Sequence, residues 1–182
     1  MNDIRALQIV QEECKRFPQQ FKSLILGTVN ASGRPEASYA PYVEKDGVYY
    51  VYVSELSAHT ANLAGAARSS ILFIEDENNA KHIFARQRLT LDCTAAEIAR
   101  SDERFQEVMD IFRLQFGSFM DMLSNLQDFH LFALTPEEGG YVAGFAKAYR
   151  LTGTQLSEIQ HRNDQGHSKS VPTTRTPHAS AH

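Results

Sequence analysis

The stretch SLILGTVNASGRPEASYAPYVEKDGVYYVYV, residues 23–53, decides the fold class of this chain. Two turn signals, Asn30–Gly33 and Lys45–Gly47, divide it into runs rich in aliphatic and aromatic residues. Such runs between turns are typical of neighbouring antiparallel strands, and they predict three: 23–29, 36–44 and 48–53. Pro41 has no backbone N–H to donate to a neighbouring strand, so we expect the second strand to lie at a sheet edge or to bulge there.

The remaining elements are arranged around this meander. Upstream, apolar residues at three- and four-residue steps predict a helix that begins near Asp3 and ends at Pro18. Downstream, Ser57 is a typical N-cap, and the pattern predicts a series of further elements: helix 58–66, strand 70–74, strand 84–95, helix 101–116, a short helix to about 123, strand 129–134, loop 135–140, strand 141–151 and one weak helical turn beyond Gly153. Short antiparallel strands with helices at the corners are typical of a closed or nearly closed barrel. The predicted fold class is therefore mainly β, with an α+β composition.

The composition is that of an ordinary globular domain. The 182 residues are 42% hydrophobic and 22% charged, and the net charge of −4 gives no basic footprint for nucleic acid or an anionic membrane. Cys14 and Cys93 lack CxxC spacing, which favours two reduced thiols in a cytosolic protein. The N-terminal stretch does not resemble a secretory signal, and no run approaches the ~20 apolar residues of a membrane span. We therefore expect a soluble cytoplasmic protein without a nucleic-acid or membrane partner.

The sequence divides into three parts. Residues 1–20 hold the N-terminal helix, residues 21–155 the barrel domain, and residues 156–182 a C-terminal tail. From Asn163 onwards this tail is rich in Ser, Thr, Pro and His and almost free of large apolar residues. Such a segment cannot bury enough apolar surface to offset the entropy lost on ordering, so we expect a flexible tail.

Several motifs resemble those of a known superfamily. The first group resembles the pyridoxamine 5′-phosphate oxidase-like split barrels: Leu26–Val29, Gly33–Pro35, Ser38–Tyr42 and Ser54–Leu63. A second group is most similar to the HutZ/HugZ-type heme-utilisation branch of that superfamily: Phe84–Thr90, Gln127–Phe129 and Gly144–Tyr149. The resemblance covers residues 20–153, with a further short match near His167.

This resemblance implies a homodimeric antiparallel split β-barrel with peripheral helices. The superfamily holds flavin mononucleotide (FMN) at the dimer interface, and the heme branch uses the corresponding interface for heme. Members of that branch are implicated in opening heme and freeing its iron inside the cell, with dioxygen and external electrons. The implied partners are a second copy of the chain, heme and an electron-donating reductase.

The resemblance also implies roles for individual residues. His167 matches the histidine that binds the heme iron, and Asp128 matches a carboxylate of the partner subunit that hydrogen-bonds the other ring nitrogen of that histidine. Such a carboxylate fixes the histidine tautomer and raises its basicity, so Asp128 is the predicted catalytic residue. His59 and Arg88 match two further positions near the heme. The segment around His167 contains other histidines, which are the alternative iron ligands: His161, His178 and His182.

Asn62 and Arg86, which both lie in the motifs quoted above, are two further candidate cofactor-binding residues. Asn62 lies one helical turn after His59. The imidazole of His59 is near the helix start, where it can contact a propionate or help to hold a phosphate. Arg86 and Arg88 are two residues apart, which places them on one face of the predicted strand. A guanidinium pairs equally well with a propionate or a phosphate, so these two arginines do not distinguish heme from FMN.

Three alternatives to a heme-degrading enzyme remain open. One is an FMN-dependent oxidoreductase of the same superfamily. Another is a non-catalytic heme carrier or storage protein, with the same cleft and histidine but no turnover. The third is a dimeric barrel that binds no cofactor and serves as an interaction module.

Overall fold

The computed structural model describes residues 2–162 of the chain. The α-helices are α1 Asn2–Arg16, α2 Ala58–Ala66, α3 Glu103–Phe116 and α4 Phe119–Ser124. The strands are β1 Ser23–Val29, β2 Pro35–Lys45, β3 Val48–Ser54, β4 Arg68–Ile74, β5 Arg88–Ile98, β6 Phe129–Gly144, β7 Lys147–Thr152 and β8 Glu158–His161. Short 3₁₀ turns cover Phe17–Gln20, Ile83–Ala85 and Thr154–Leu156. Within residues 2–162, no helix has both the length and the apolar character needed to cross a membrane.

Six of the strands in this part of the chain close into an antiparallel barrel. Their order is β3-β2-β1-β4-β5-β6, and β6 pairs back with β3 to close the ring. β7 and β8 extend the sheet beyond β6. This architecture confirms the predicted antiparallel β-barrel with peripheral helices, while the homodimer stays a prediction.

Strand β2 changes partner in its middle, and this change opens the barrel on one side. Residues 35–41 pair with β1, whereas the pairing with β3 begins at Tyr42, opposite Val51. Pro41 stands at the changeover, so the strand continues through it without needing the N–H that proline lacks. The first half of β2 therefore separates from the end of β3, which leaves a gap between the two strands.

The side chains form two cores, one inside the barrel and one between the sheet and helices α3 and α4. Strand β3 contributes to both, because Tyr49 and Val51 point into the barrel while Tyr50 and Tyr52 pack under the helices. Helix α3 presents one buried apolar stripe to the second core: Phe105, Val108, Met109 and Phe112. Both cysteine thiols are free and buried, and burial raises the pKa of each to about 12.

The loop predicted over residues 135–140 is wrong, because β6 is one continuous strand through this segment. It pairs with β5 from Leu131 to Val142, with a bulge where Cys93 lies opposite Pro136 and Asp92 lies opposite Glu138. The bulge accommodates the proline, and Gly139 lets the two strands approach closely. A sequence rich in turn residues therefore forms a bent strand instead of a loop.

Further boundaries differ from the predictions. The strand predicted over 141–151 is wrong, because β6 ends at Gly144, a turn follows, and β7 begins at Lys147. The strand predicted to begin at 84 begins at Arg88, after the 3₁₀ turn Ile83–Ala85. The predicted tail, 156–182, begins with part of the turn Thr154–Leu156 and then strand β8, which pairs with β7. The rest of the tail, 163–182, lies outside the described residues.

The close packing at Gly139 gives a stability prediction. A Cβ at this position would lie 2.6 Å from Leu91 Cδ2 and 2.7 Å from the Thr90 carbonyl oxygen. We expect Gly139→Ala to lower the free energy of unfolding by about 1–3 kcal/mol, because a backbone oxygen cannot move aside without disturbing the β5–β6 pairing. The measurement is urea unfolding, with Gly65→Ala in α2 as the control. Gly65 has open space around it, so that change should be neutral or stabilise the helix by up to about 1 kcal/mol.

Candidate functional site

The gap between β2 and β3 forms a groove of about 650 Å³, which we call the split groove. Its floor is the start of α2, residues 57–59. One wall is the first half of β2, including Ser38 and Tyr39, and the other includes Tyr52, Ser54 and Phe129. The volume lies within the usual range for small-molecule sites, and the aromatic walls suit a flat ligand.

His59 stands on the floor of the split groove, in the first turn of α2. Its Nδ1 lies 2.9 Å from the Ser38 hydroxyl oxygen, which ties the helix to β2. Partial burial lowers the pKa of His59 below its ordinary value, so the neutral imidazole predominates at neutral pH. The structure therefore places this predicted site residue where it can meet a ligand as a neutral donor or acceptor.

Asp128 lies beside the same groove, immediately before β6. Its carboxylate accepts a hydrogen bond of 3.0 Å from the Ser54 hydroxyl, and its carbonyl accepts one of 2.8 Å from the backbone N–H of Glu55. Ser54 and Phe129 both line the groove. Two of the predicted site residues, His59 and Asp128, are thus brought to one groove.

Arg100, which the sequence analysis did not single out, fastens the segment that carries Asp128. Its guanidinium donates to the carbonyl oxygens of Ser124 at 2.9 Å and Phe129 at 3.2 Å, and also to that of Leu126. It donates as well to the Tyr52 hydroxyl at 3.0 Å. These bonds hold backbone on both sides of Asp128.

Loss of the Arg100 hydrogen bonds should destabilise the protein. We expect Arg100→Ala to lower the free energy of unfolding by about 2–3 kcal/mol, because several carbonyl groups lose a charged donor together. Arg104→Ala is the matched control, since Arg104 is also exposed but its side chain bonds only the nearby Asp102 carboxylate and should contribute less than about 1 kcal/mol. Equal losses in the two variants, measured by urea unfolding, would contradict the role given to Arg100.

Asn62 is buried at the back of the groove. Its amide donates to the Thr28 hydroxyl at 3.0 Å and to a carboxylate oxygen of Glu36 at 2.5 Å. These contacts join α2 to β1 and β2. The predicted contact of Asn62 with a cofactor stays a prediction.

Arg86 and Arg88 do not share a strand face, because β5 begins only at Arg88. Arg86 precedes the strand and donates to the Glu75 carbonyl at 2.8 Å and to the Glu77 carboxylate at 3.0 Å. Arg88 donates to the Arg86 carbonyl at 3.1 Å. The prediction of a shared face was wrong because it extended the strand four residues too far towards the N-terminus.

Arg88 lies on what we call the outer face, the side of the sheet that points away from the barrel interior. One of the cross-strand rows on this face consists of Tyr39, Ile25, Leu72 and Thr90. Ile25, Val29 and Tyr39 are 41%, 44% and 69% exposed, which is high for large apolar side chains. Arg88 is therefore three strands from β2, about 14 Å along the sheet, and away from the split groove of its own chain.

The predicted iron ligand, His167, lies outside the described residues, as do His178 and His182. His161 belongs to β8, where its ring meets the Tyr149 ring edge-on at 4.8 Å. Its Nδ1 is buried and has no hydrogen-bond partner among residues 2–162. The role of each of these histidines as a ligand stays a prediction.

His130 forms a second cluster that the sequence analysis missed. Its Nδ1 lies 2.7 Å from Glu97 and its Nε2 lies 2.7 Å from Glu55, the residue that follows Ser54. The hydrogen bonds to Glu97 and Glu55 raise the pKa of His130 above its ordinary value. Its signal in the sequence is weak, because the two glutamates are 33 and 75 residues away.

The His130 cluster predicts a pH dependence of stability. The pKa of His130 is higher in the folded state than in the unfolded state. Its contribution to the free energy of unfolding is therefore fully present below the unfolded pKa of about 6.5, and it is lost as the pH rises through the folded pKa. We expect His130→Asn to destabilise the protein at about pH 5.5 by less than about 1 kcal/mol, since the cluster is exposed, and to have little effect at about pH 9. Thermal melting of both proteins at the two pH values measures this, and a larger effect at the higher pH would contradict it.

Comparison with known proteins identifies the family. The model of the pyridoxamine 5′-phosphate oxidase family matches residues 10–143. The heme oxygenase HutZ of Vibrio cholerae is 43% identical over 160 residues, which span 88% of this chain and 90% of that protein. A crystal structure of Vibrio cholerae HutZ, described as a heme storage protein, matches with a TM-score of 0.66 and 45% identity over 69% of this chain and 89% of that chain.

A second solved relative extends the comparison. The crystal structure of Campylobacter jejuni ChuZ matches with a TM-score of 0.76 and 33% identity, over 85% of this chain and 62% of that chain. The family match, the shared identity and the split barrel agree with one another. The chain therefore belongs to the pyridoxamine 5′-phosphate oxidase family of split β-barrels and, within it, to the HutZ-type heme-utilisation proteins.

Proposed function

We propose that this protein binds heme between two copies of the chain and degrades it oxidatively in the cytoplasm, releasing the iron. The proposal rests on the split groove, where a neutral imidazole and aromatic walls lie next to a carboxylate. It is supported by the 43% identity to the heme oxygenase HutZ over 160 residues. Heme is the substrate in this proposal, and dioxygen and an electron-donating reductase are the co-reactants.

Part of the groove lining suits a porphyrin. Tyr39 and Phe129 offer aromatic surface for a flat apolar ring, Ser38, Ser54 and His59 offer uncharged polar groups, and Glu36 adds a carboxylate that already accepts the Asn62 amide. A porphyrin also carries two propionates, which call for a cation. Arg88 is the predicted partner for one of them.

A dimer would bring the separated site residues together. Arg88 is three strands away from the split groove of its own chain, but it lies on the exposed outer face with Ile25 and Tyr39. Burial of that apolar face against a second copy would contribute about 25 cal/mol for each Å² removed from water. Docking of two outer faces would place Arg88 of one chain near the split groove of the other.

Each predicted residue has a distinct task in this scheme. The heme iron supplies the chemistry of dioxygen activation, and His167 would bind it through one imidazole nitrogen. Asp128 of the partner subunit would accept the N–H of the other imidazole nitrogen, which keeps the histidine in the ligating tautomer and makes it a stronger donor. The Ser54 hydroxyl and the backbone held by Arg100 would keep that carboxylate in place.

Two alternatives have an observation in their favour. The description of a HutZ crystal structure as that of a heme storage protein favours a carrier that holds heme without turnover. The match to the pyridoxamine 5′-phosphate oxidase family favours an FMN-dependent oxidoreductase. Arg86, Arg88, His59 and Asn62 could serve phosphate recognition in the second case.

One experiment distinguishes the three functions. Purified protein is titrated with hemin, and its visible spectrum is recorded before and after ascorbate is added in air. A Soret band that appears and then bleaches, with iron captured by a ferrous chelator, supports degradation. A band that persists supports storage, and bound yellow flavin without hemin uptake supports the oxidoreductase. Sedimentation of the same samples tests the dimer.

A further inference from the structure

Two exposed phenylalanines stand at one end of the outer face. Phe84, in the 3₁₀ turn Ile83–Ala85, is 85% exposed, and Phe145, at the tip of the β6–β7 hairpin, is 76% exposed. Hairpin tips favour Gly, Asn and Asp, whereas here a large aromatic residue sits between Gly144 and Ala146, both with positive φ. Neither ring contributes to the two cores of the fold.

Both rings lie at the same end of the sheet as Arg88. The 3₁₀ turn that carries Phe84 ends three residues before Arg88 and contacts β6. Arg88 pairs in register with Val142, three residues before Phe145 in the hairpin turn. The Arg88 guanidinium donates to the Arg86 carbonyl, so it is directed towards the turn that carries Phe84.

The nearest cross-strand positions around Arg88 are apolar, and the carboxylates of Asp92 and Glu138 lie further along the groove that Arg88 lines. Its cross-strand neighbours on the outer face are Ile74 and Val142, followed by Ala148 on β7. Among residues 2–162, no carboxylate lies within ion-pair distance of Arg88, whereas Arg86 pairs with Glu77. A guanidinium with apolar cross-strand neighbours, and with two exposed aromatic rings at its end of the sheet, suits an anion carried on the edge of a large apolar ring.

We propose that Phe84 and Phe145 form the two sides of a clamp on the porphyrin edge, with Arg88 between them as the partner of a propionate. This inference rests on the proposed binding of heme, and it assigns the specificity for a carboxylated macrocycle to residues outside the split groove. A bound porphyrin would give both rings the apolar contact that the single chain leaves open to solvent. An arginine that binds no ligand and only contacts solvent would not require an aromatic ring on either side.

Porphyrin binding in single and double alanine variants tests the clamp. The probes are hemin and metal-free protoporphyrin IX, because the second has the same ring and propionates but no iron for a histidine to bind. We expect Phe84→Ala and Phe145→Ala each to weaken the binding of both probes about 3- to 10-fold, and the double variant about 10- to 50-fold. Phe119→Ala is the control, since Phe119 is 60% exposed on α4 and should leave both affinities unchanged.

Every outcome separates the clamp from the wider function. Wild-type affinity in the double variant, an equal loss in Phe119→Ala, or a loss for hemin alone overturns the clamp while heme binding stands. Dissociation of the dimer in the double variant also overturns it, because the rings would then be subunit contacts. If the wild-type protein binds hemin without degrading it, and the alanine variants bind both probes more weakly as expected, the result supports the clamp and contradicts degradation. Failure of the wild-type protein to bind either probe overturns both proposals.

Discussion

Replacement of His167 by Ala is expected to weaken hemin binding on the order of 100-fold, about 2.7 kcal/mol, and to abolish turnover. The imidazole is the predicted bond between protein and iron, so its loss leaves the porphyrin held by ring contacts and Arg88 alone. The Soret maximum should also shift, since its position reports the axial ligand. Hemin titrations followed by ascorbate in air measure affinity, spectrum and turnover on the same sample.

The controls for this variant come from the same tail. His178→Ala should keep the wild-type affinity, spectrum and turnover, because the resemblance assigns the iron to His167. Free imidazole added to His167→Ala should restore the wild-type spectrum by taking the vacated position on the iron. An unchanged spectrum in His167→Ala, with a changed one in His178→Ala, would move the assignment to the second histidine.

Elements governed by local signals were predicted accurately from the sequence. Helix α2 begins after Ser57 and covers 58–66 as predicted, and β1 has the predicted bounds of 23–29. In both cases a turn or a typical N-cap residue precedes or follows the element, although the Ser57 side chain makes no capping hydrogen bond. Local preference and tertiary structure agree there, so the sequence pattern is sufficient.

Elements that depend on contacts distant in the sequence were not predicted accurately. Thr135–Gly140 has the composition of a loop, but this segment pairs with β5. A β-bulge at the register shift between Asp92 and Cys93 accommodates the extra residue. Strand β8 is short and polar, and it forms because the edge of β7 is available to it. The strand order likewise depends on pairings such as β3 with β6, across about 80 residues, that no local window contains.

The candidate site divides in the same way. His59 and Asp128 were identified through their motifs, and the fold brings both to the split groove through Ser38 and Ser54. Pro41 was recognised as unusual in a strand, but only the change of partner at that residue explains the groove. Arg100 and His130 escaped notice because their partners come from other strands and loops.

Asp128→Asn is expected to separate catalysis from binding. Turnover of bound hemin should fall about 10- to 100-fold, because an amide is a weaker acceptor for the imidazole N–H and leaves the ligand less basic. Hemin affinity should change only a few-fold, about 1 kcal/mol or less, since the iron–histidine bond and the ring contacts remain. The amide oxygen can still accept the Ser54 hydroxyl, so the segment before β6 should keep its conformation. Single-turnover bleaching under ascorbate gives the rate, and a hemin titration gives the affinity.

The turnover rate and the hemin affinity of Asp128→Asn together identify the role of Asp128. Asp110→Asn is the matched control, because Asp110 is a surface carboxylate paired with Arg113 on α3, and both quantities should stay at their wild-type values. If Asp128→Asn lowered affinity as much as rate, Asp128 would be holding the groove together rather than tuning the ligand. If it changed neither, the carboxylate would not meet the histidine at all. Only a large loss of rate with affinity preserved fits a hydrogen bond whose effect is on the reactivity of the iron.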